Sequence, residues 1–170
     1  HWILNVQWTS GNVYPIWDDS YKNYNFVKQP ISQDEINLWR SQGYDHKSFS
    51  GTMYGGKNVM PAWIHKVSDI LNLQKSGHVI YRMDTNDIMP THSDHYNTYC
   101  KVFNVEYNDV YRAIVFLEDW KPGHYFEIDN TGCTNWKAGD YYLWKGDVVH
   151  AASNIGIDPR YTLQITGTIL

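Results

Sequence analysis

The chain has 170 residues and a net charge of −4, with 42% hydrophobic and 19% charged residues. That length suits one domain with a sizeable core, and the composition excludes a fully disordered chain. Only 14 Lys and Arg are present, with no basic run, so no nucleic-acid partner is expected. The longest purely apolar run, Ala113 to Leu117, is far too short to span a bilayer, and no membrane partner is expected. The first residue is His1, as in a processed chain, and no charged start followed by an apolar core is seen. A cytoplasmic location is therefore expected. Cys100 and Cys133 lack a C-x-x-C spacing and are expected as reduced thiols. Aromatics reach 16%, which favours a β-rich fold or a lined cavity.

In chain order, Trp2 to Trp8 alternates as an opening strand. Tyr14 to Lys28 is aromatic and irregular and reads as a covering loop. Ser32-Gln33-Asp34-Glu35 has the pattern of a capping box. It opens a helix carrying Ile36, Trp39 and Arg40 that ends near Gly43. Ser48 to Asn58 is expected as a loop. Pro61 starts a second helix with an apolar stripe at Ile64, Val67 and Leu71, stopped by Gly77. Beyond Gly77 the apolar period changes to 2. Strands are predicted at His78–Met83, Pro90–His95, Tyr99–Tyr107, Tyr111–Glu118, His124–Asp129, Tyr141–Trp144, Asp147–Ala152 and Arg160–Thr168. Eight short strands after two helices suggest a mostly β double-sheet jelly roll with helices on one outer face. Residues 1–77 would be helical and loop support, and 78–170 the jelly-roll core of a single domain.

Three places carry chemistry. In Thr91-His92-Ser93-Asp94-His95, alternation on a strand would turn His92 and Asp94 to one face and His95 away. His150, at the end of Asp147-Val148-Val149-His150, supplies a third ligand from a distant strand. Two histidines and one carboxylate on one face of an iron(II) leave positions open for substrate and oxygen. Arg160 and Thr162, two apart on the last strand, can face one cavity. A buried guanidinium needs an anion, and a carboxylate is its natural partner.

The order His92-x-Asp94, His150, Arg160-x-Thr162 resembles the Fe(II)/2-oxoglutarate-dependent oxygenase superfamily. Lys137-Ala-Gly-Asp-Tyr-Tyr-Leu-Trp resembles the turn and strand that precede its distal histidine. His150-Ala-Ala-Ser-Asn-Ile-Gly with Pro159-Arg160-Tyr-Thr-Leu resembles its closing segment. Arg112-Ala-Ile-Val-Phe-Leu resembles its central strand, and Pro122 to Phe126 the turn after it. The likeness covers Val79 to Gly167, about half the chain. The segments are similar to those of small marine-phage oxygenases, with some likeness to prolyl 4-hydroxylases and, through Asn154-x-Gly156, to aspartyl/asparaginyl β-hydroxylases. The stretch Tyr81 to Asp87 departs from the pattern in lacking glycines.

The resemblance implies a double-stranded β-helix in which His92, Asp94 and His150 hold Fe(II) and carry catalysis. Arg160 and Thr162 would bind the far carboxylate of 2-oxoglutarate. Separately from the resemblance, Tyr81 and Tyr99 can lend hydroxyls to the co-substrate pocket or pack in the core. Oxygen and 2-oxoglutarate would be consumed, with succinate and CO2 released and a C–H bond of a peptide side chain or small molecule hydroxylated. Ascorbate would serve as an auxiliary reductant.

Other readings compete. Arg160 can pair with Asp158. Arg112 can reach substrate or serve as a strand-start charge. Trp120, Trp136 and Trp144 can pack the sheets, or offer aromatic faces to sugars in a non-catalytic cupin- or lectin-like module. A zinc hydrolase of the metallo-β-lactamase type also uses a cluster ending in Asp-His, but Pro90 stands in place of its leading histidine. The Tyr14–Phe26 segment and the Gly51–Gly56 loop are candidate covers for the cavity, and His124 is the further histidine nearest the expected site.

Overall fold

The computed structural model describes residues 7–28, 31–44, 52–54 and 61–169. In chain order the elements are β1 (Trp8–Asn12), β2 (Val27–Lys28), α1 (Gln33–Ser41), β3 (Thr52–Tyr54), α2 (Ala62–Ile70), β4 (Gln74–Met83), β5 (Ile88–His92), α3 (Asn97–Phe103), β6 (Val110–Phe116), β7 (His124–Ile128), β8 (Thr131–Cys133), β9 (Asp140–Lys145), β10 (His150–Asn154) and β11 (Arg160–Thr168). They form a seven-stranded sheet, β1-β9-β6-β11-β4-β3-β2, and a four-stranded sheet, β5-β10-β7-β8. Every pairing is antiparallel. The expected mostly β double-stranded β-helix with flanking helices is the fold observed.

Alternation along β11 gives the large sheet two different faces. Tyr161, Leu163 and Ile165 point outward into a core with Ile64, Val67 and Leu71 of α2 and with Ala113 and Val115 of β6. Arg160, Thr162 and Gln164 point inward and line a cavity. The inner core between the sheets is built from Met83, Phe116, Phe126, Ile128, Trp136, Trp144 and Ala152. Phe116 and Trp136 stack there with ring centroids 3.9 Å apart.

The α1 capping box forms as the sequence indicates: Glu35 N–H donates to Ser32 Oγ at 3.2 Å and Ser32 N–H to Glu35 Oε2 at 3.3 Å. Helix α2 ends earlier than expected. Asn72, at φ +56°, takes the left-handed position, and Leu73 N–H donates to Ser68 O at 2.9 Å. Gly77 therefore lies inside β4 and stops nothing.

Several expectations are corrected. The strand predicted at Tyr99–Tyr107 is largely helix α3, bounded by Tyr96 (φ +55°) and Asn104 (φ +52°). The β-favouring Tyr, Val and Phe there are outweighed by packing. Tyr99 and Phe103, one helical turn apart, meet at 4.7 Å, and the Tyr99 hydroxyl donates to Lys75 O at 2.8 Å. The strand expected at Pro90–His95 runs Ile88–His92, so Asp94 sits in the following loop. β8 was missed, although Asp129 and Asn130, both at positive φ, make a two-residue hairpin turn. The opening strand starts at Trp8, and Trp2 to Val6 lie outside the described residues. Within the expected Ser48–Asn58 loop, 52–54 form β3; its other residues lie outside the described set. The first 77 residues thus supply three strands of the large sheet as well as helical support.

Candidate metal centre

Two ladders bring the site together. In the small sheet, His150 of β10 lies directly across from His92 of β5. Their rings are 4.3 Å apart. Each ring is fixed by its other nitrogen. His92 Nδ1 is 2.7 Å from Pro90 O, and His150 Nδ1 is 3.0 Å from Val148 O. A carbonyl only accepts, so Nδ1 carries a proton in each ring and Nε2 is the nitrogen left to face a metal, as in metal-ligating histidines.

Asp94 reaches the same point from the loop after β5. Its Oδ1 is 3.7 Å from His92 Nε2 and its Oδ2 3.5 Å from His150 Nε2. Both distances exceed a hydrogen bond. One ion bonded at about 2.1 Å to each atom would span such gaps. The three ligand atoms lie within 4.8 Å of one another. Their side chains are only 11–14% exposed. Asp94 Oδ2 also lies 2.8 Å from Arg112 Nη1. That ion pair is off the line of an N–H bond, so this buried oxygen accepts no aligned hydrogen bond among the described residues. Burial alone would push the Asp94 carboxyl up; Arg112 and the two imidazoles outweigh it and hold the group below the usual carboxylate range. Burial pushes His150 down to about 4, which keeps its imidazole neutral. Two facing imidazole nitrogens and a buried carboxylate make a donor set that fits a divalent metal. The cluster can therefore coordinate one, consistent with Fe(II).

The large sheet supplies the second half. Thr162 of β11 lies across from Tyr81 of β4 on one side and Phe116 of β6 on the other. Arg160, one alternation along, is buried. Its Nη1 donates to Tyr125 O at 3.2 Å, and its Nε has no partner among the described residues. Burial pushes its pKa down to about 10. It does not pair with Asp158, whose carbonyl instead meets His124 Nε2 and Asn154 Nδ2, both at 2.8 Å. Tyr81 is raised by burial. His92, Asp94, His150, Arg160, Thr162 and Tyr81 all line one cavity of 240 Å³, with Met83, Ile114, Phe126 and Ala152 as apolar walls.

Helix α1 covers that cavity rather than the outer face. Glu35 and Trp39 line it, and the Trp39 ring stands edge-on to His92 at 6.0 Å. The Tyr14–Phe26 segment does not cover it: Trp17, Tyr21, Tyr24 and Phe26 pack on the outer core. His124 is no ligand; it stacks with Trp136 at 6.2 Å. Trp136 and Trp144 are 5% and 1% exposed, which removes them as sugar-stacking platforms. His95 is exposed and lies outside the cluster, on the loop after β5 and at the edge of a neighbouring groove rather than on the back of a strand. In the glycine-poor Tyr81–Asp87 stretch, Asn86 takes a left-handed φ of +73° and so does the work of a glycine. Arg112, read only as a strand-start charge or a substrate contact, is bound to Asp94. Its spacing from Asp94 carries no sequence signal, because a helix and a turn separate them.

No family model matches the chain, and no curated relative does. Solved structures do. A Pseudomonas putida prolyl-4-hydroxylase is similar at 13% identity and a TM-score of 0.53, over 89% of this chain and 96% of that one. SnoN, described as a non-heme alpha-ketoglutarate-dependent epimerase from nogalamycin biosynthesis, is similar at 12% identity and a TM-score of 0.53, over 88% and 79%. At such identities the likeness establishes the fold alone. The chain is thus a double-stranded β-helix protein whose His92, Asp94 and His150 form a two-histidine, one-carboxylate cluster able to hold a metal ion.

Proposed function

We propose that this protein is an Fe(II)- and 2-oxoglutarate-dependent oxygenase of the hydroxylase type. One observation carries the proposal: the metal-binding cluster and a buried arginine that has no carboxylate partner among the described residues line the same small cavity. A buried cation left in that state calls for an anionic ligand. A five-carbon dicarboxylate can meet the metal at one end and a guanidinium at the other.

His92, Asp94 and His150 would hold the iron. When bound, it supplies the activation of O2 that is coupled to conversion of 2-oxoglutarate to succinate and CO2, with one oxygen atom passing to a C–H bond of the primary substrate. Arg160 binds the distal carboxylate through its free Nε–H and remaining amino group. The Thr162 hydroxyl donates to the same carboxylate, and Tyr81 places its hydroxyl at the cavity wall. Met83, Ile114 and Phe126 exclude water, which strengthens the charge contacts. The cavity shares Glu35, Tyr81, Arg112 and Gln164 with an open groove of 1100 Å³ between α1, α3 and β4. A peptide side chain or small molecule approaches through that groove. Asn154-x-Gly156, the feature shared with β-hydroxylases, has a structural role: Gly156 N–H donates to Asn154 Oδ1 at 2.9 Å, and Asn154 Nδ2 donates to Met83 O at 3.0 Å.

The test is succinate release from 2-oxoglutarate with Fe(II) and ascorbate, against a panel of peptides and amino acids. Succinate formation that Asp94→Ala abolishes supports the proposal. Unchanged ligand retention by Asp94→Ala, with no succinate from either protein, supports a non-catalytic binding module instead.

A further inference from the structure

Asp94 differs from the other two ligands in where it sits. His92 and His150 are locked in a strand ladder, whereas Asp94 lies in the loop beyond β5. Its carboxylate must be oriented by something outside that loop. The structure supplies such a group on β6, the neighbour of the central strand β11 of the large sheet. Arg112 of β6 places Nη1 2.8 Å from Asp94 Oδ2. The same guanidinium is anchored at its other edge. Nε and Nη2 both donate to Thr166 Oγ1 of β11, at 3.2 and 3.0 Å. Its face rests on the ring of buried Tyr96, 4.8 Å from the centroid. The loop backbone is tied as well, with the Tyr107 hydroxyl donating to Asp94 O at 3.1 Å.

We infer that Arg112, held by Thr166 and Tyr96, is a positioning residue that sets the orientation of the Asp94 carboxylate for metal binding. It rests on the metal-centre assignment above. Arg112 touches no metal itself and acts through Asp94. A planar guanidinium fixed at two edges and one face has little freedom, so it transmits sheet rigidity to a loop ligand. Groups of this kind change metal affinity by about 10–100-fold when removed. Lys at 112 would keep the charge but lose the forked anchor to Thr166.

The experiment is titration of the purified full chain with Co(II), read by its visible ligand-field spectrum, and with Mn(II), read by the loss of free-ion EPR signal. Arg112→Met is expected to weaken both by about 10–100-fold and to alter the Co(II) spectrum. Arg112→Lys should fall between the two. Thr166→Val, which keeps the guanidinium and spares the fold, should weaken binding several-fold, and the double variant should be no weaker than Arg112→Met, because the two act as one unit. If Arg112→Met does not fold, Thr166→Val with an unchanged Kd and spectrum overturns the inference by itself. An Arg112→Met protein that binds within twofold of the parent, or more tightly, also overturns it. Failure of the unaltered protein to bind either ion overturns the metal centre itself, a different outcome from the others.

Discussion

Arg160 should be a residue that weakens the empty fold in order to bind a ligand, and Arg160→Met tests this. Burial lowers its pKa from the ordinary guanidinium range to about 10. The folded state therefore binds that proton less well than the unfolded chain. The resulting penalty is present at every pH below 10 and is relieved only as the pH rises from there towards the ordinary guanidinium range. At about 1.4 kcal/mol per tenfold change it is of order 3 kcal/mol. Met removes the charge at similar length but loses the bond from Nη1 to Tyr125 O, worth about 1 kcal/mol. The ligand-free variant should thus be more stable by about 2 kcal/mol, or roughly 4–8 °C in Tm for a domain of this size. Its response to 2-oxoglutarate should be the opposite. The parent, loaded with Mn(II) and given ligand at about 100 times its Kd, gains about 2.7 kcal/mol. Loss of one partner of a buried ion pair costs about 3–5 kcal/mol, so the variant should bind roughly 100- to 4000-fold more weakly and lose nearly all of that shift, keeping at most about 0.3 kcal/mol. Thermal unfolding with and without 2-oxoglutarate reads both effects. A variant that melts several degrees lower, or keeps the parent's ligand-induced shift, would refute the reasoning.

Three further outcomes follow from the same geometry. Asp94→Asn keeps shape and removes charge, and should weaken Co(II) binding by more than about 100-fold, measured by equilibrium titration. Burial, helped by the neighbouring His65, pushes His78 down to about 4 from 6.5, with Ser68 Oγ 2.6 Å from its Nε2. Because the unfolded chain binds this proton more readily, the contribution is complete above pH 6.5 and is lost as pH falls towards 4. Discounted for partial exposure, the loss is about 1–2 kcal/mol. Urea unfolding at pH 7 and pH 4.5 should show a smaller acid effect in His78→Gln. Gly123 sits at φ +91°, and a Cβ there would lie 2.1 Å from Gly156 N. Gly123→Ala should therefore cost at least about 1–2 kcal/mol in the same urea assay, by forcing apart the turns before β7 and after β10.

Much of this was legible in the residues, for local reasons. The α1 capping box is a short-range pattern that forms as written. The alternation of Arg160, Thr162 and Gln164 against Tyr161, Leu163 and Ile165 fixes which side of β11 meets the cavity. His92, Asp94 and His150 do converge, but not by the route expected. Strand alternation predicts that His92 and Asp94 share a face; the strand ends at His92, and a loop carries Asp94 back. α3 was hidden because Tyr99, Val102 and Phe103 favour strands locally, and contacts to β4 decide otherwise. The covering role of α1 and the tie between Arg112 and Asp94 depend on pairings between distant elements. No spacing within a single segment encodes those.

The most direct measurement is anaerobic titration of the Fe(II)-supplied protein with 2-oxoglutarate, followed by the visible absorbance of the metal-bound keto acid. The account predicts a saturable band that Asp94→Asn removes and that Arg160→Met shifts to far higher ligand concentration. No band in the parent protein, or an identical titration in Arg160→Met, would contradict it.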